Sequence, residues 1–526
     1  MYDVIFKNVR IVDGTGAPWF YGEVGVKDDE IKEVSARIEG KAAKVVDGKN
    51  MVLAPGFIDS HSHSDTCWFV DKRGESKVRQ GVTTEVTGQC GQSPAPATEK
   101  RRESSLKTRE GKEFEWTTFA EYLDALEDNG VGINVVPLVG HGSLRSSAMG
   151  YDNRPPSDEE LKVMKALLAE ALEAGAFGFS SGLLYPPGSY AHVSELVELA
   201  KQMRSYGGIY ETHMRNENID LVKSVQEAIT VGREGGVPVH ISHHKACYKR
   251  AWGLVHQSLK LIGEARREGL DVTADQYPYV AGSCGLAVVV PEWGHEGGKE
   301  ALLARLKDPE ICEKLKIESD AKQILNEAWP ITVISSVASE KNKFAQGKSI
   351  TEIAEIWDVP PVDAAFRLLV EEKLDVTMLE FEINEDDVRT VMAHPCVMIG
   401  SDSSCSATDG PLAAEAHRAH PRTFGTFPRV LGKYVREEKV LSLEQAIHKM
   451  TSMPANRMRL MDRGIIRPGM KADVVLFDPD IVAEVATFAN PAQYPAGIEY
   501  VMVNGIFAVE NGEHTGNIAG RVLRRA

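Results

Sequence analysis

Four segments of the sequence carry side chains that could bind a metal ion, and each follows an apolar, strand-like run. His61 and His63 follow the first run, and Cys90, His213 and His243 follow three others. Residues two apart on an extended strand face the same side, so the first two histidines can approach one point. Imidazole nitrogen and thiolate sulfur are ligands that Zn²⁺ prefers, and a catalytic zinc keeps one position for water. Together these five side chains predict a zinc site.

Each of these residues also has an ordinary structural explanation when it is considered alone. His61 and His63 could be two polar residues where a strand ends, and Cys90 could be a small buried apolar residue. His213 and His243 could be histidines of the core with satisfied hydrogen bonds. Their shared position at strand ends favours a single cooperative site.

A carboxylate follows a fifth apolar run, which covers residues 397–401. Asp402 could move a proton between a water molecule at the metal and a departing amine. It could also cap the helix that follows. The residue type leaves both roles open.

The elements that must hold these residues are short strands that alternate with longer helices, from about residue 57 to residue 461. Strand patterns recur at residues 81–86, 133–139, 176–179, 208–212, 237–242, 272–274 and 397–400. Helical periodicity is clearest at residues 159–173, 195–206 and 221–234. Repeated strand–helix units indicate a parallel sheet, and their number favours an α/β fold of the TIM-like (β/α)8 barrel type over an open doubly wound sheet. Such barrels collect catalytic residues at the carboxyl ends of their strands, where the candidate ligands lie.

The two ends of the chain and one internal segment differ from this pattern. Residues 1–56 contain short β-rich runs with Asp-Gly turns, and similar runs return in residues 462–526. The two ends could therefore pair into one small β-sheet domain. Residues 287–349, approximately, are rich in Lys and Glu and break the alternation. This break predicts an inserted subdomain.

Composition and charge limit the class of protein. The 526 residues are 43% hydrophobic and 26% charged, and no apolar run approaches the roughly 18 residues that a membrane-spanning helix needs. The formal charge of −16 disfavours nucleic acid and anionic membranes as partners. Seven cysteines, an odd number without framework spacing, indicate thiols in a reducing compartment. Because the N-terminus also has no secretory pattern, these features predict a soluble, cytoplasmic protein.

Short motifs in a constant order cover almost the whole chain. They are P-G-F-I-D-S-H-S-H at 55–63, Q-C-G at 89–91, E-T-H-M-R at 211–215, S-H-H-K at 242–245, D-Q-Y-P-Y at 275–279, G-S-D at 400–402 and H-P-R-T-F-G-T-F-P-R at 420–429. They resemble the motifs of the D-aminoacylases, or N-acyl-D-amino-acid deacylases, of the amidohydrolase superfamily. The resemblance implies a TIM-like barrel that carries a small β-sandwich domain built from both termini, with an inserted subdomain.

The resemblance also implies an arrangement of metal ligands. One zinc ion would be held tightly by Cys90, His213 and His243, and His61 with His63 would form a second, weaker position. Many superfamily relatives bridge two metals with a carboxylated lysine on the fourth strand. The fourth-strand region of this chain contains no lysine.

The implied substrate is a small molecule, an N-acyl-D-amino acid. Its amide bond would be hydrolysed to a carboxylate and a free D-amino acid. Zinc would lower the pKa of a bound water molecule and polarise the amide carbonyl. Asp402 would accept the proton and return it to the departing amine, while Tyr185 would hydrogen-bond the carbonyl oxygen. Tyr185 could instead be an aromatic residue of a loop.

A guanidinium group suits the free α-carboxylate of such a substrate, and Arg422 is the expected clamp. Lys245, Tyr277 and Ser283 match the residues that complete the carboxylate pocket. Each of these three could instead be a solvated or packing residue. The loop 403–421 is longer than usual for the family, so the direction from which Arg422 approaches stays open.

Two other functions share part of this pattern. A cyclic amidase of the hydantoinase or dihydroorotase type has the barrel and the paired histidines, but Cys90 and the missing lysine count against it. A catalytically inactive barrel scaffold usually loses ligands, and here they are all present. The sequence leaves open the oligomeric state, the number of metal ions, the preferred D-side chain and acyl group, and the roles of His141 and Arg145.

Overall fold

The computed structural model describes residues 1–103 and 116–525. In these residues the strands are β1 (Tyr2–Ile11), β2 (Phe20–Lys27), β3 (Glu30–Ser35), β4 (Ala42–Asp47), β5 (Val52–Pro55), β6 (Phe57–Asp59), β7 (Val82–Thr87), β8 (Asn134–Pro137), β9 (Val139–Gly140), β10 (Gly178–Gly182), β11 (Ile209–His213), β12 (Val239–Ile241), β13 (Val272–Gln276), β14 (Gly282–Gly285), β15 (Thr332–Val337), β16 (Val376–Glu380), β17 (Val397–Ile399), β18 (Val474–Phe477), β19 (Ile498–Val503), β20 (Ile506–Glu510) and β21 (Glu513–His514).

The α-helices of the same residues are α1 (Glu75–Val78), α2 (Glu99–Glu103), α3 (Phe119–Asn129), α4 (His141–Met149), α5 (Asp158–Ala174), α6 (Val193–Met203), α7 (Leu221–Gly235), α8 (Val255–Arg267), α9 (Gly298–Lys307), α10 (Pro309–Leu325), α11 (Ile350–Trp357), α12 (Pro361–Glu371), α13 (Glu385–Ala393), α14 (Ala413–Ala416), α15 (Arg422–Arg429), α16 (Leu443–Met450) and α17 (Ser452–Arg457). Shorter 3₁₀ turns lie at Cys67–Phe69, Gly188–Tyr190, Arg204–Tyr206, Leu286–Val289, Glu292–His295, Glu340–Ala345 and Gly410–Leu412, and a π-helical segment lies at Val430–Glu437. None of these helices is long and apolar enough to cross a bilayer.

Both ends of the chain contribute to one nine-stranded sheet. Its main path runs β21-β20-β19-β18-β5-β1-β2-β3, and β4 pairs with β1. The two ends meet where β5 and β18 run antiparallel, with Leu53 opposite Leu476. These two side chains and Phe6 are fully buried in one apolar cluster. The sheet therefore contains strands from both segments that were predicted to pair, residues 1–56 and 462–526.

Apart from β14, β15 and β16, the strands between these ends are parallel. β6, β7 and β8 form one sheet, and β9, β10, β11, β12, β13 and β17 follow in that order in another. β8 and β9 are separated only by Leu138, whose N–H donates to Thr87 O at 3.0 Å. Beyond the outer strands β6 and β17, Ser62 forms a parallel bridge with Ser403. The alternation of strand and helix was predicted from the sequence. Strands that are buried on both faces appear there as short apolar runs.

One apolar run contributes consecutive strands to two different sheets. β5 belongs to the nine-stranded sheet and β6 to the parallel strands, and Gly56 is the single residue between them. A Cβ atom on Gly56 would lie 2.2 Å from Thr83 Oγ1, so no larger residue fits here. Because β6 belongs to the parallel strands, His61 follows at the carboxyl end of one of them.

The helices that follow the strands have clear boundary signals. At the start of α5, Ser157 and Glu160 form a capping box, and Gly175 ends the helix with a φ of 117°. Met164 and Leu168 on its inner face join the largest apolar cluster of the protein. Residues 159–173 were predicted as this helix, and α6 likewise corresponds to the prediction at 195–206, except that its last turn is 3₁₀.

A separate unit interrupts the strand–helix order. β14, β16 and β15 form an antiparallel sheet in that order, and α9–α12 cover it. Its apolar side chains form their own cluster, from Leu286 to Met378. The insertion predicted at about 287–349 covers the middle of this unit and misses its first strand, β14. The unit continues to Glu380 because its central strand, β16, comes last in the chain.

Candidate active site

The candidate zinc ligands converge on one sulfur atom. Cys90 Sγ lies 3.4 Å from His61 Nε2, 3.5 Å from His243 Nε2 and 3.7 Å from His213 Nδ1. Zinc bonds of about 2.3 Å to sulfur and about 2.05 Å to nitrogen, at a tetrahedral angle, separate the two ligand atoms by about 3.6 Å. The four side chains are buried. The ligand atoms of His61, Cys90 and His243 all lie within 4.8 Å of one another, so these three fit a zinc ion, and His213 approaches the same sulfur.

A second group of possible ligands lies beside the first. Asp402 Oδ1 is 3.0 Å from His63 Nε2 and 3.6 Å from His61 Nε2. His61, His63 and Asp402 could together hold a cation. His61 thus faces both groups, whereas the family resemblance assigned it only to the second position with His63. His61 lies as near to Cys90 as the other two histidines do, because β6 closely approaches the end of β7.

The backbone turns sharply at three of these residues. Cys90, His243 and Asp402 have φ values of 52°, 35° and 50°, in the left-handed region that residues other than glycine seldom adopt. They follow β7, β12 and β17, so each turn bends the chain at a strand end. The turn at Cys90 also needs Gly88, where a Cβ atom would lie 1.9 Å from Leu138 O.

The charge state of Cys90 suits a metal ligand. Burial by itself raises the pKa of the thiol, but the neighbouring charges of His61 and His243 lower it by more, to well below its usual value. The thiolate is the form that binds metals.

Two acidic residues that the sequence analysis did not single out orient the histidines. Glu217 Oε1 lies 3.0 Å from His243 Nδ1, so the ring donates to it and leaves Nε2 facing Cys90. Asp275 accepts the backbone N–H of His243 at 2.6 Å and lies 3.4 Å from His61 Nδ1. Asp275 is the first residue of the D-Q-Y-P-Y motif, so the sequence could have indicated it as a functional residue. Glu217 lies in none of the motifs quoted above.

The expected carboxylate clamp lines one wall of a cavity. Tyr277 lies between two cations, with Lys245 Nζ 5.6 Å and Arg422 Cζ 4.7 Å from its ring centre. Ser283, on β14, lines the same cavity. Lys245 is held by Glu217 at 2.7 Å, and this carboxylate keeps the pKa of the lysine well above its usual value despite burial.

Arg422 also contacts the candidate proton carrier. Its Nη1 lies 3.0 Å from Asp402 Oδ2, the carboxylate oxygen that does not face His63. Burial raises the pKa of Asp402, but Arg422 and the hydrogen bond from His63 lower it by more, to well below its usual value. The loop 403–421 brings Arg422 here because His420 is fixed to Ala281 O at 2.9 Å just before α15 begins.

Tyr185 lies on the opposite wall. Its ring centre is 4.8 Å from that of His213. Burial and nearby negative charge raise the pKa of Tyr185 well above its usual value, so its hydroxyl stays a hydrogen-bond donor.

The cavity between these walls has a volume of about 420 Å³. The predicted site residues that line it are His63, Cys90, Tyr185, His213, His243, Lys245, Tyr277, Ser283, Asp402 and Arg422. His61 lies beneath its floor, fully buried. His141 and Arg145 are not among the lining residues of the described chain; they form a buried ion cluster with Glu195 at 2.8 and 2.5 Å.

Known proteins resemble this chain over almost its full length. A protein-family model described as "Amidohydrolase family" matches residues 44–308 and 333–509. A D-aminoacylase of Alcaligenes xylosoxydans xylosoxydans is 35% identical over 525 residues, covering 100% of this chain and 98% of that protein. An N-acyl-D-glutamate deacylase of the same organism is 36% identical, covering 99% and 96%. The crystal structure of N-acyl-D-glutamate deacylase from Bordetella bronchiseptica, complexed with zinc and a phosphonate mimic of the tetrahedral intermediate, has a TM-score of 0.84 at 33% identity and covers 99% of both chains.

Proposed function

This chain belongs to the amidohydrolase family, and on that basis we propose that it is a zinc-dependent deacylase of N-acyl-D-amino acids. The reaction releases a carboxylate and a free D-amino acid. The observation that carries the proposal is the convergence of a thiolate and three histidines at one end of a cavity whose wall holds two buried cations, Lys245 and Arg422. A linear substrate with both an amide bond and a free carboxylate matches both features.

The tight metal site is assigned to Cys90, His213 and His243, with His61 at the same distance from the sulfur. The second group of ligands, His61, His63 and Asp402, is assigned to a weaker position. Zinc bound at the first site supplies a Lewis acid that polarises the amide carbonyl and makes water more acidic. The carbonyl oxygen then accepts a hydrogen bond from Tyr185, whose hydroxyl stabilises the negative charge that develops there.

Asp402 moves the proton. Its lowered pKa keeps it ionised before the reaction, so it can accept a proton from water at its free lone pairs and then deliver it to the amine nitrogen. A bound α-carboxylate shares Arg422 with Asp402. This sharing weakens the attraction that lowers the pKa of Asp402, which makes it a better proton acceptor once substrate is in place.

The chirality of the substrate follows from two held groups and the space that remains for the side chain. The carboxylate is held at Arg422, Lys245 and Tyr277, with Ser283 beside them, and the carbonyl is held near Cys90. With two groups of the α-carbon fixed, only one enantiomer directs its side chain into the rest of the cavity.

The finer architecture is proposed as well. We propose that β6 to β13 and β17, with β8 and β9 as one strand interrupted at Leu138, close into a TIM-like (β/α)8 barrel at residues 57–461. The bridge between Ser62 and Ser403 supports closure. The nine-stranded sheet is proposed as a β-sandwich domain of residues 1–56 and 462–526. A cytoplasmic location is proposed from the odd number and spacing of the cysteines. The negative charge favours a small-molecule substrate over nucleic acid or a membrane as partner.

The test measures amine release from paired N-acetyl-D- and N-acetyl-L-amino acids, and ring opening of hydantoin and dihydroorotate, with zinc content measured on the same sample. Activity confined to the D-acyl substrates, with about one tightly bound zinc per chain, is the expected result. Ring opening would assign the chain to the cyclic amidases. Bound zinc without turnover of any substrate would indicate an inactive scaffold.

A further inference from the structure

The cavity continues past the carboxylate clamp to a wall built by the inserted unit. This wall carries two carboxylates from the end of β16 and the loop after it, Glu380 and Glu382, which are 7% and 8% exposed. Gln323 and Asn326, from the end of α10, complete it. The deacylation chemistry proposed above uses none of these four residues.

The two carboxylates have little positive charge to balance them. Among residues 1–103 and 116–525, no lysine, arginine or histidine forms an ion pair with either one. Glu380 accepts a hydrogen bond from Thr332 at 3.1 Å. Burial and, to a smaller extent, the neighbouring Glu380 raise the pKa of Glu382 to about 8, although Lys245 acts in the opposite direction. Lys322 also lines the cavity, but it is exposed and belongs to no ion pair with them.

A third acceptor on this wall has no partner. Gln323 is 4% exposed, and within the described chain its Oε1 accepts no hydrogen bond. A buried acceptor without a donor destabilises the folded protein unless a ligand satisfies it. Two carboxylates and an amide oxygen on one wall together match a group that is cationic and carries several N–H donors.

The wall lies on the amino-acid side of the site rather than the acyl side. A Cβ atom on Gly282 would lie 3.2 Å from Glu382 Oε1 and 3.4 Å from Tyr277 Oη, so Glu382 is next to the carboxylate clamp. An adjoining cavity of about 510 Å³ opens on the side of Tyr185, where its lining is mainly apolar and includes Leu183 and Val289. That second cavity suits an acyl group.

We propose that Glu380, Glu382 and Gln323 form a subsite for a cationic side chain of the D-amino acid, such as the ammonium group of D-lysine or D-ornithine. The proposal rests on the proposed function, because the clamp and the metal site orient the substrate. An ammonium or guanidinium group donates to the three acceptors and balances the two carboxylates. An anionic side chain, as in N-acyl-D-glutamate, would instead meet like charge.

The first test compares Nα-acetyl-D-lysine with Nα-acetyl-D-norleucine, which has the same chain length without the charge. With the zinc-loaded full-length protein we expect kcat/KM to be higher for the lysine substrate by about 10- to 100-fold, and Nα-acetyl-D-glutamate to be the poorest of the three. Glu380→Gln and Glu382→Gln, which keep the side-chain shape, should each reduce the lysine-to-norleucine ratio by about tenfold. Glu327→Gln is the matched control, because that carboxylate is exposed and paired with Lys249; it should leave the ratio unchanged.

A second test measures binding of free D-lysine and free D-norleucine to the zinc-loaded protein by calorimetry. Preference for D-lysine that falls in Glu382→Gln supports the subsite even if no acyl substrate is hydrolysed, in which case only the proposed deacylase function fails. Hydrolysis or binding of the norleucine compound as good as that of the lysine compound overturns the subsite and leaves the deacylase function intact.

Discussion

Replacing Asp402 with asparagine separates proton transfer from metal binding. Asparagine keeps the size of the side chain, and its one oxygen can face Arg422 while its amide nitrogen takes the place of Oδ1, which lies 3.0 Å from His63 Nε2. It also tolerates the left-handed backbone at this position, where φ is 50°. The substitution removes the proton acceptor and the negative charge beside Arg422, and it changes little else.

Two magnitudes follow from the contacts of Asp402. Loss of a positioned proton carrier lowers a rate by about 10²- to 10⁴-fold, and we expect a fall in kcat of about 10³-fold, which corresponds to about 4 kcal/mol. Arg422 is 5% exposed and loses its counter-ion at 3.0 Å. Because the amide oxygen can face Arg422 in place of Oδ2, we expect the free energy of unfolding to fall by about 1–3 kcal/mol rather than by the full cost of an unpaired buried charge.

The assay measures amine release, zinc content and thermal unfolding on one preparation of the variant. Zinc should stay bound, because Asp402 does not belong to the group around Cys90. Asp409→Asn is the matched control: it is an exposed aspartate of the following loop, paired with Arg73, and should retain full activity. Activity of Asp402→Asn within tenfold of the wild type would refute the proton-transfer role, and loss of zinc in parallel with activity would make Asp402 a ligand instead.

Three further predictions concern the metal, the clamp and the termini. Cys90→Ala should lose both zinc and turnover, measured by metal analysis and amine release, and a variant that keeps stoichiometric zinc would contradict its role as ligand. Arg422→Met should raise KM for N-acetyl-D-amino acids by at least about tenfold, as expected for a lost charge-assisted contact, with a smaller effect on the matching carboxamides; equal effects on both would exclude the clamp. Asp29, whose pKa is lowered to about 2 by Arg521, links the two ends of the chain. Because its folded pKa is the lower one, its stabilising contribution is present above pH 4 and is lost as the pH falls towards 2, so the melting temperature of Asp29→Asn should approach that of the wild type at low pH.

Local sequence signals determined the main elements and the type of chemistry. Apolar runs located the strands that end near Cys90, His213 and His243, because a strand buried on both faces has few polar residues until it leaves the sheet. Helical periodicity at residues 159–173 located α5 for a similar reason: the apolar residues of its inner face recur at the helical repeat. These signals involve residues close together in the chain, so they can be recognised from the sequence alone.

The tertiary structure decided which polar residues share an environment. Glu217 and Asp275 orient the histidines, and Arg422 meets Asp402, only because parallel strands and a long loop bring these residues together. Glu382 gives the clearest case. Its carboxylate reaches the cavity because it follows β16 of the inserted unit, and its pKa is raised mainly because burial removes water from around it. Sequence periodicity records which residues face the core, whereas contacts between distant polar residues leave no periodic pattern, and the preferred substrate of this site depends on such contacts.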